Sequence, residues 1–160
     1  RLGMDVPFFL FGPTAFAKGR GELLTTLPSP PKFWVLLANP GFETSTAWVY
    51  KNLSFGLTKK GYCTNIAGLK VSQIARSLHN DLETVTAAAH PVIGEMERSL
   101  LDAGALGARM SGSGPTVFGI FDTEAACRAA AQALHTKGWL LYPAETLTGS
   151  LYEEHLESAP

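Results

Sequence analysis

A glycine-rich segment, Gly112-Ser113-Gly114, separates two apolar runs at 108–111 and 116–121 that are typical of strands. Glycine reaches positive φ angles without strain and lets a ligand come close to the backbone. Successive N–H groups in such a turn can form an anion-binding nest, which makes phosphate binding one interpretation. A plain hairpin turn is the other, because a short glycine motif is weak evidence when it stands alone. The segment is not a Walker loop, because no lysine follows it.

Asp5 is an early carboxylate beside an apolar run, with Phe8, Phe9 and Phe11 close behind it. Partial desolvation by such neighbours raises the pKa of a carboxylate and suits it to accept a proton. An ordinary helix cap is the alternative, since Asp is favoured at that position and Pro7 is tolerated in a first helical turn.

A second pair of glycines, Gly19 and Gly21, flanks Arg20 between apolar-bearing runs at 14–17 and 22–27. Two such runs around a short loop that contains glycine predict a β-hairpin. Taken alone, these three residues indicate a turn.

Three aromatic residues, Phe42, Trp48 and Tyr50, follow the apolar run at 33–38 and a Pro-Gly turn. Aromatic residues at helical spacing commonly belong to a core. Loops that follow strands also hold ligand contacts, and a nucleobase would stack on such a ring with about 1–3 kcal/mol. Both interpretations stay open at this point.

The elements that would position these residues follow from apolar periodicity and from capping signals. An order of strand, helices, two strands, helix and strand predicts an α+β sandwich with helices on one face of an antiparallel sheet. Residues 51–70 lack a clear period and are predicted to form a loop. The predicted elements are strands at 33–38, 108–111, 116–121 and 139–142, and helices at 44–50, 80–89, 91–104 and from Asp122 or Thr123 to Gly138.

A stiff linker is predicted where three prolines fall within residues 27–31. Proline fixes φ and cannot donate to a strand ladder, so this segment is the natural domain boundary. The predicted organisation is one domain ending within 1–27, a linker at 28–32 and a second domain at 33–160.

Composition excludes several functional classes. The 160 residues are 46% hydrophobic, which is enough for a core. A net charge of −1 and a pI near 6.5 do not indicate the basic surface that nucleic-acid-binding proteins use. No apolar run approaches the roughly 18 residues that span a bilayer and no signal peptide is visible, so a cytoplasmic protein without a membrane partner is expected. Cys63 and Cys127 have no partners at metal-ligand spacing, so no metal site is predicted.

Five short segments follow one another in a specific order. They are Leu2-Gly-Met-Asp-Val-Pro-Phe-Phe-Leu10, Ala17-Lys-Gly-Arg-Gly-Glu22, Ala38-Asn-Pro-Gly41, His79-Asn-Asp-Leu-Glu83 and Gly107-Ala-Arg-Met-Ser-Gly-Ser-Gly-Pro-Thr-Val-Phe118. Together they resemble the GHMP family of small-molecule kinases, over nearly the whole chain from Leu2 to about Tyr142. The last segment resembles a motif shared across that superfamily. The first two resemble the branch that acts on a cytidine-diphosphate methylerythritol.

The resemblance implies a GHMP C-terminal domain with a ferredoxin-like sandwich at 33–160. It also implies that the hairpin within 1–27 ends the family's N-terminal catalytic and ATP-binding domain. The implied reaction moves the γ-phosphoryl group of ATP, with Mg²⁺ carried by the nucleotide, to a hydroxyl of that small molecule in the non-mevalonate isoprenoid route.

The resemblance also implies roles for individual residues. Asp5 matches the family's catalytic aspartate, which would take the proton of the hydroxyl or orient it. Gly112, Ser113 and Gly114 match the third GHMP motif, which supports the phosphate region. The residues that match its substrate-binding positions, an aromatic ring for cytosine and a loop beside the cytidine or diphosphate, are Tyr50, Gly19, Arg20 and Gly21.

The family's N-terminal lysine and its glycine-serine phosphate loop have no counterpart and would lie before Arg1. Phosphoryl transfer depends on positioning and charge stabilisation, so the chain is expected to be a piece of a longer kinase and inactive alone. Unpaired edges of its hairpin favour self-association. Two alternatives stay open: another GHMP kinase, of the mevalonate-pathway, homoserine or sugar type, and a non-catalytic ferredoxin-like domain that binds a small molecule or a partner.

Overall fold

The computed structural model describes residues 8, 14–18, 23–53 and 68–148. These residues divide into two compact units, one containing 14–18, 23–32, 68–70 and 146–148, the other containing 33–53 and 71–145. None of the helices within these ranges is both long enough and apolar enough to cross a membrane. The domain limits at 1–27, 28–32 and 33–160 stay a prediction.

The first unit contains a β-hairpin, as its sequence predicted. Strand β1 (Ala15–Lys18) pairs antiparallel with β2 (Leu23–Thr26). One further backbone bond extends the ladder, because the N–H of Leu27 donates to the carbonyl of Thr14 at 3.0 Å. The connecting residues 19–22 lie outside the described ranges.

The second unit is built on an antiparallel sheet whose described strands are β3 (Trp34–Asn39), β4 (Gly107–Met110), β5 (Val117–Phe121) and β6 (Leu140–Glu145). Their order across the sheet is β4-β5-β3-β6, and every neighbouring pair is antiparallel. A first strand flanked by the third and fourth is the ferredoxin-like arrangement. The predicted α+β fold class is confirmed.

The described helices of the second unit are α1 (Thr46–Asn52), α2 (Val71–Ser77), α3 (Glu83–Ala89), α4 (Val92–Asp102) and α5 (Glu124–Leu134). Capping explains two of their starts. The side chain of Ser45 accepts from the N–H of Trp48 at the start of α1, and that of Thr123 accepts from the N–H of Ala126 at the start of α5.

The core lies between one face of the sheet and the helices α4 and α5. Its buried side chains come from β3, β4 and β5 and from apolar positions three or four residues apart on the two helices. Leu101, the apolar residue next to Leu100 on α4, is 46% exposed because it is turned well away from Met96 around the helix. The core members on the two helices are Ile93, Met96, Leu100, Cys127, Ala130 and Leu134.

Helix α2 was missed by the sequence prediction, which placed its helices on one face and left 51–70 and the residues up to 80 without structure. Ile74 and Ala75 of this helix are buried. A Cβ on Gly107 would lie 2.5 Å from the carbonyl oxygen of Ala75, so the helix packs directly on β4 at this glycine. Successive side chains of a strand alternate between faces, so Gly107 faces away from its core neighbour Ala108. Helix α2 therefore lies on the opposite face from the core.

Candidate functional site

The glycine segment forms the connection between β4 and β5. The N–H of Ser111 donates to the carbonyl of Thr116 at 2.8 Å, and the N–H of Gly114 donates back to the carbonyl of Ser111 at 2.9 Å. Gly112 has a φ of 55° and Gly114 a φ of 84°, both in the left-handed region. These angles strain any residue with a side chain, so glycine is required by the turn itself.

The two glycines differ in what surrounds them. A Cβ on Gly114 would come within 2.6 Å of the sulfur of Met110 and 3.3 Å of the Thr86 methyl group, so this position is closely packed. A Cβ on Gly112 would meet nothing within 4 Å. The outer end of the turn therefore leaves room for a ligand beside its backbone.

Two side chains, one in the turn before α3 and one on α3 itself, hold carbonyl groups of this loop. Asn80 donates both hydrogens of its amide nitrogen, to the carbonyls of Met110 and Gly112, each at 2.8 Å. Thr86, which is buried, donates its hydroxyl to the carbonyl of Ser113 at 3.1 Å. These contacts hold three carbonyls of the loop and of the strand end before it against α3 and the turn that precedes it.

Glu83, the first residue of α3, contacts the strand that leads into the loop. One oxygen accepts from the N–H of Met110 at 2.9 Å, and the other accepts from Nη1 of Arg109 at 2.7 Å. Glu83 and Thr86 are three residues apart in α3 and therefore lie on one face of the helix, and Asn80 lies in the turn just before it. The end of β4 is thus fixed through both its N–H and its carbonyl groups.

A second carboxylate, that of Glu97, lies close to the ion pair of Glu83 and Arg109. Its Oε1 is 3.7 Å from Nη1 of Arg109, and this buried oxygen has no hydrogen-bond partner within the described ranges. Burial, followed by the neighbouring Glu83 carboxylate, raises the pKa of Glu97 to about 7, although the charge of Arg109 acts in the opposite direction. Nη1 of Arg109 lies 2.7 Å from Glu83 and 3.7 Å from Glu97, so its charge stabilises the Glu83 carboxylate more than that of Glu97.

The raised pKa predicts a pH-dependent stability. A folded-state pKa near 7, above the ordinary value of 4.5, means that the folded chain holds this proton more tightly than the unfolded chain. The resulting stabilisation is complete below pH 4.5 and is lost as pH rises through about 7. Glu97→Gln, which resembles the neutral form, should raise the free energy of unfolding at pH 8 by on the order of 2 kcal/mol and change it little at pH 4.

Urea unfolding of the chain at these two pH values measures that difference. Glu95→Gln is the matched control, since Glu95 is half exposed on the same helix and pairs with Lys137 on the surface. It should change stability by less than about 1 kcal/mol at either pH. An equal effect of Glu97→Gln at both pH values would contradict the prediction.

Helix α1 approaches the loop from another direction. The hydroxyls of Thr46 and Ser113 share a hydrogen bond at 2.9 Å. Tyr50 follows Thr46 by four residues and therefore lies one turn along the same side of the helix. Its side chain is 57% exposed, so it is not part of the core. The structure thus places an accessible aromatic residue on the helix that contacts the glycine loop.

Asn39 links the end of β3 to the same region. Its amide nitrogen donates to the hydroxyl of Thr116 at 2.9 Å, and its amide oxygen accepts from the N–H of Gly41 at 2.8 Å. The Pro-Gly turn after β3 and the far end of the glycine loop are therefore held by one side chain.

The predicted site residues fall into two groups. Gly112, Ser113, Gly114 and Tyr50 lie in one unit, on the loop and on the helix that contacts it. The predicted site residues that lie outside the described ranges are Asp5, Gly19, Arg20 and Gly21.

Sequence reasoning missed the contribution of α3 and of Asn80, which lies just before it. Asn80 was predicted to begin that helix, but α3 begins at Glu83, and the Asn80 oxygen accepts from the N–H of Leu82. The available signal was the run of polar residues Asn80, Glu83 and Thr86 at a spacing of three.

The described residues suit an anion better than a metal ion. Neither N–H of Gly112 and Ser113 has an acceptor among the described residues, and the turn is open beside Gly112. Over the same ranges, no three His, Cys, Asp or Glu side chains are grouped as a metal site would require. Phosphate oxygens are the ligand class that fits a turn of this kind.

Comparisons with known proteins match most of the chain to one kind of kinase. Residues 66–138 match the family model described as GHMP kinases C terminal. The chain is 51% identical over 150 residues to the 4-diphosphocytidyl-2-C-methyl-D-erythritol kinase of Pelobacter propionicus, covering 92% of this chain and 53% of that protein. It is 47% identical over 148 residues to the kinase of the same name from Geobacter sulfurreducens, covering 91% and 52%.

A solved structure shares the fold as well. The crystal structure of a 4-(cytidine 5'-diphospho)-2C-methyl-D-erythritol kinase matches with a TM-score of 0.73 at 30% identity, covering 89% of this chain and 53% of that one. The chain spans about half the length of the curated relatives it matches. By these matches the chain is similar to the C-terminal part of GHMP kinases, and the relatives that it matches are named 4-diphosphocytidyl-2-C-methyl-D-erythritol kinases.

Proposed function

We propose that this chain forms the C-terminal half of a kinase that transfers the γ-phosphoryl group of ATP to the 2-hydroxyl of 4-diphosphocytidyl-2-C-methyl-D-erythritol, in the non-mevalonate isoprenoid route. The observation that carries the proposal is the 51% identity over 150 residues to a relative named for this substrate. A cytoplasmic location and self-association through the hairpin are part of the same proposal.

The glycine loop is proposed to support the phosphates of ATP. In phosphoryl transfer the protein contributes chiefly positioning and stabilisation of charge on the transferred group. The N–H groups of Gly112 and Ser113 are suited to this, because they are unpaired within the described ranges and the backbone is open beside them. Gly114 keeps the turn closed by its bond to Ser111. Mg²⁺ would arrive with the nucleotide and offset the charge of its phosphates.

The substrate side of the site is proposed from Asp5, Tyr50 and the loop Gly19-Arg20-Gly21. Asp5 would accept the proton of the attacking hydroxyl or orient that hydroxyl toward the phosphoryl group. Tyr50 would stack on the cytosine ring, and its 57% exposure on the helix next to the glycine loop supports this role. The loop at 19–21 would contact the cytidine or the diphosphate.

A hybrid kinase tests the proposal. This chain would replace the matching half of the Pelobacter propionicus relative, to which it is 51% identical. The purified hybrid should phosphorylate the cytidine-diphosphate methylerythritol in an ATP-dependent manner, whereas this chain alone should form no product. A folded hybrid without activity, measured beside the active parent relative, would overturn the proposed function. Product formed by the chain alone would contradict the expectation that both halves are needed.

A further inference from the structure

The orientation of each peptide in the glycine loop follows from its hydrogen bonds. A trans peptide is planar, so its C=O and N–H point in opposite directions. The Gly112 carbonyl points toward Asn80, so the N–H of Ser113, in the same peptide, points away from it. The Ser111 carbonyl accepts from Gly114 inside the turn, so the N–H of Gly112 points out of the turn.

We infer that Asn80 is a positioning residue for the phosphate loop, because its amide holds the Met110 and Gly112 carbonyls inward and thereby turns the Ser113 N–H outward beside that of Gly112. The inference rests on the proposed function, since it assigns a role within the same site. Among the described contacts, the Asn80 side chain bonds only to backbone groups, those of Met110, Gly112 and Leu82. It therefore acts through the loop.

The chemistry of asparagine fits this role closely. Its amide nitrogen has two hydrogens, and both are used at 2.8 Å on carbonyls two residues apart. Its oxygen accepts from the N–H of Leu82 at 3.0 Å, which fixes the side chain to the start of α3. An aspartate at this position would keep that acceptor. It would replace the two donated bonds with repulsion between a carboxylate and carbonyl oxygens.

Thr86 supports the same orientation one residue further on. It donates to the Ser113 carbonyl at 3.1 Å from a fully buried position. Two consecutive carbonyls, those of Gly112 and Ser113, are therefore held against α3 and the segment before it. A loop that was restrained only by its own turn bond would leave both peptides free to rotate.

The test is a titration of the ¹⁵N-labelled 160-residue chain with inorganic pyrophosphate, followed at the amides of Gly112 and Ser113. Both amide resonances should shift in the parent chain. Asn80→Asp should weaken the apparent affinity about tenfold, the size expected when one or two neutral hydrogen bonds that hold a site are lost. Thr86→Val keeps the shape of the side chain and should also weaken the affinity for pyrophosphate. It is the variant to use if Asn80→Asp proves too unstable to measure.

Thr84→Val is the matched control. Thr84 is exposed at the start of the same helix, and its hydroxyl donates to the Asp81 carbonyl rather than to the loop. This variant should bind pyrophosphate like the parent chain. An Asn80→Asp chain that remains folded and binds pyrophosphate with unchanged affinity would overturn the inference, as would a parent chain whose Gly112 and Ser113 amides do not respond.

The hybrid kinase separates this inference from the proposed function. Asn80→Asp should raise the KM for ATP about tenfold and leave the KM for the cytidine substrate unchanged, whereas a purely structural loss would lower activity without altering either KM. An active hybrid in which Asn80→Asp leaves the KM for ATP unchanged refutes the positioning role alone. An inactive hybrid built on a chain that still shows the Asn80-dependent pyrophosphate response refutes the proposed function alone.

Discussion

Replacing Asp5 with asparagine is expected to lower kcat of the hybrid kinase by about 10²–10⁴-fold, the range typical of losing a general base. Asparagine keeps the size of the side chain but cannot accept the proton of the attacking hydroxyl. The KM for ATP should change much less, because the proposed contacts to phosphate come from the glycine loop. Steady-state kinetics with both substrates measures the two effects separately.

Asp102→Asn is the matched control for this variant. Asp102 is exposed at the end of α4, and the same chemical change there should leave kcat unaltered. The competing interpretation of Asp5 is a helix cap. Loss of a helix-capping side chain typically lowers the free energy of unfolding by on the order of 1 kcal/mol. A folded Asp5→Asn hybrid with near-normal kcat and a small loss of stability would favour the cap and contradict the catalytic role.

Gly107→Ala is expected to lower the free energy of unfolding by about 1–3 kcal/mol, as overpacking typically does. The added methyl group would lie 2.5 Å from the Ala75 carbonyl oxygen and 3.0 Å from the Ala75 Cβ. Backbone atoms cannot move aside as the end of a flexible side chain can, so α2 must shift away from β4. Urea unfolding of the chain, followed by tryptophan fluorescence, measures the loss.

The same substitution should have the opposite sign at Gly94. This glycine lies inside α4, where an added Cβ would meet only the mobile end of Arg98, at 3.5 Å. Alanine there should stabilise the chain by roughly 0.5–1 kcal/mol, because glycine is a poor helix former. If both variants destabilise equally, or if Gly107→Ala is neutral, α2 does not pack on β4 as described.

Local patterns in the sequence were sufficient for much of the fold. The hairpin of β1 and β2, the strands β3 and β5 and the helices α4 and α5 were predicted from alternation, periodicity and capping residues, which act over a few neighbouring positions. The left-handed turn at Gly104 follows the end of α4 as predicted, whereas α5 ends at Leu134 and Gly138 ends the short 3-10 helix His135–Lys137 that follows it. The same local signal identified Gly112 and Gly114 as a turn. It did not distinguish a turn that binds phosphate from one that only reverses the chain.

The tertiary structure decided how that turn is held. Asn80 lies 30 residues from Met110 and 32 from Gly112, so no local pattern indicates that its amide donates to both carbonyls. The contact of Thr46 with Ser113 spans 67 residues, and it is this contact that places the helix of Tyr50 beside the loop. Helix α2 is short and weakly periodic. It can pack on β4 because Gly107, on a strand distant in sequence, has no side chain to separate the two backbones. Backbone propensity acts between neighbours in sequence, whereas the direction of an N–H group in a loop depends on which distant side chains bind its carbonyls.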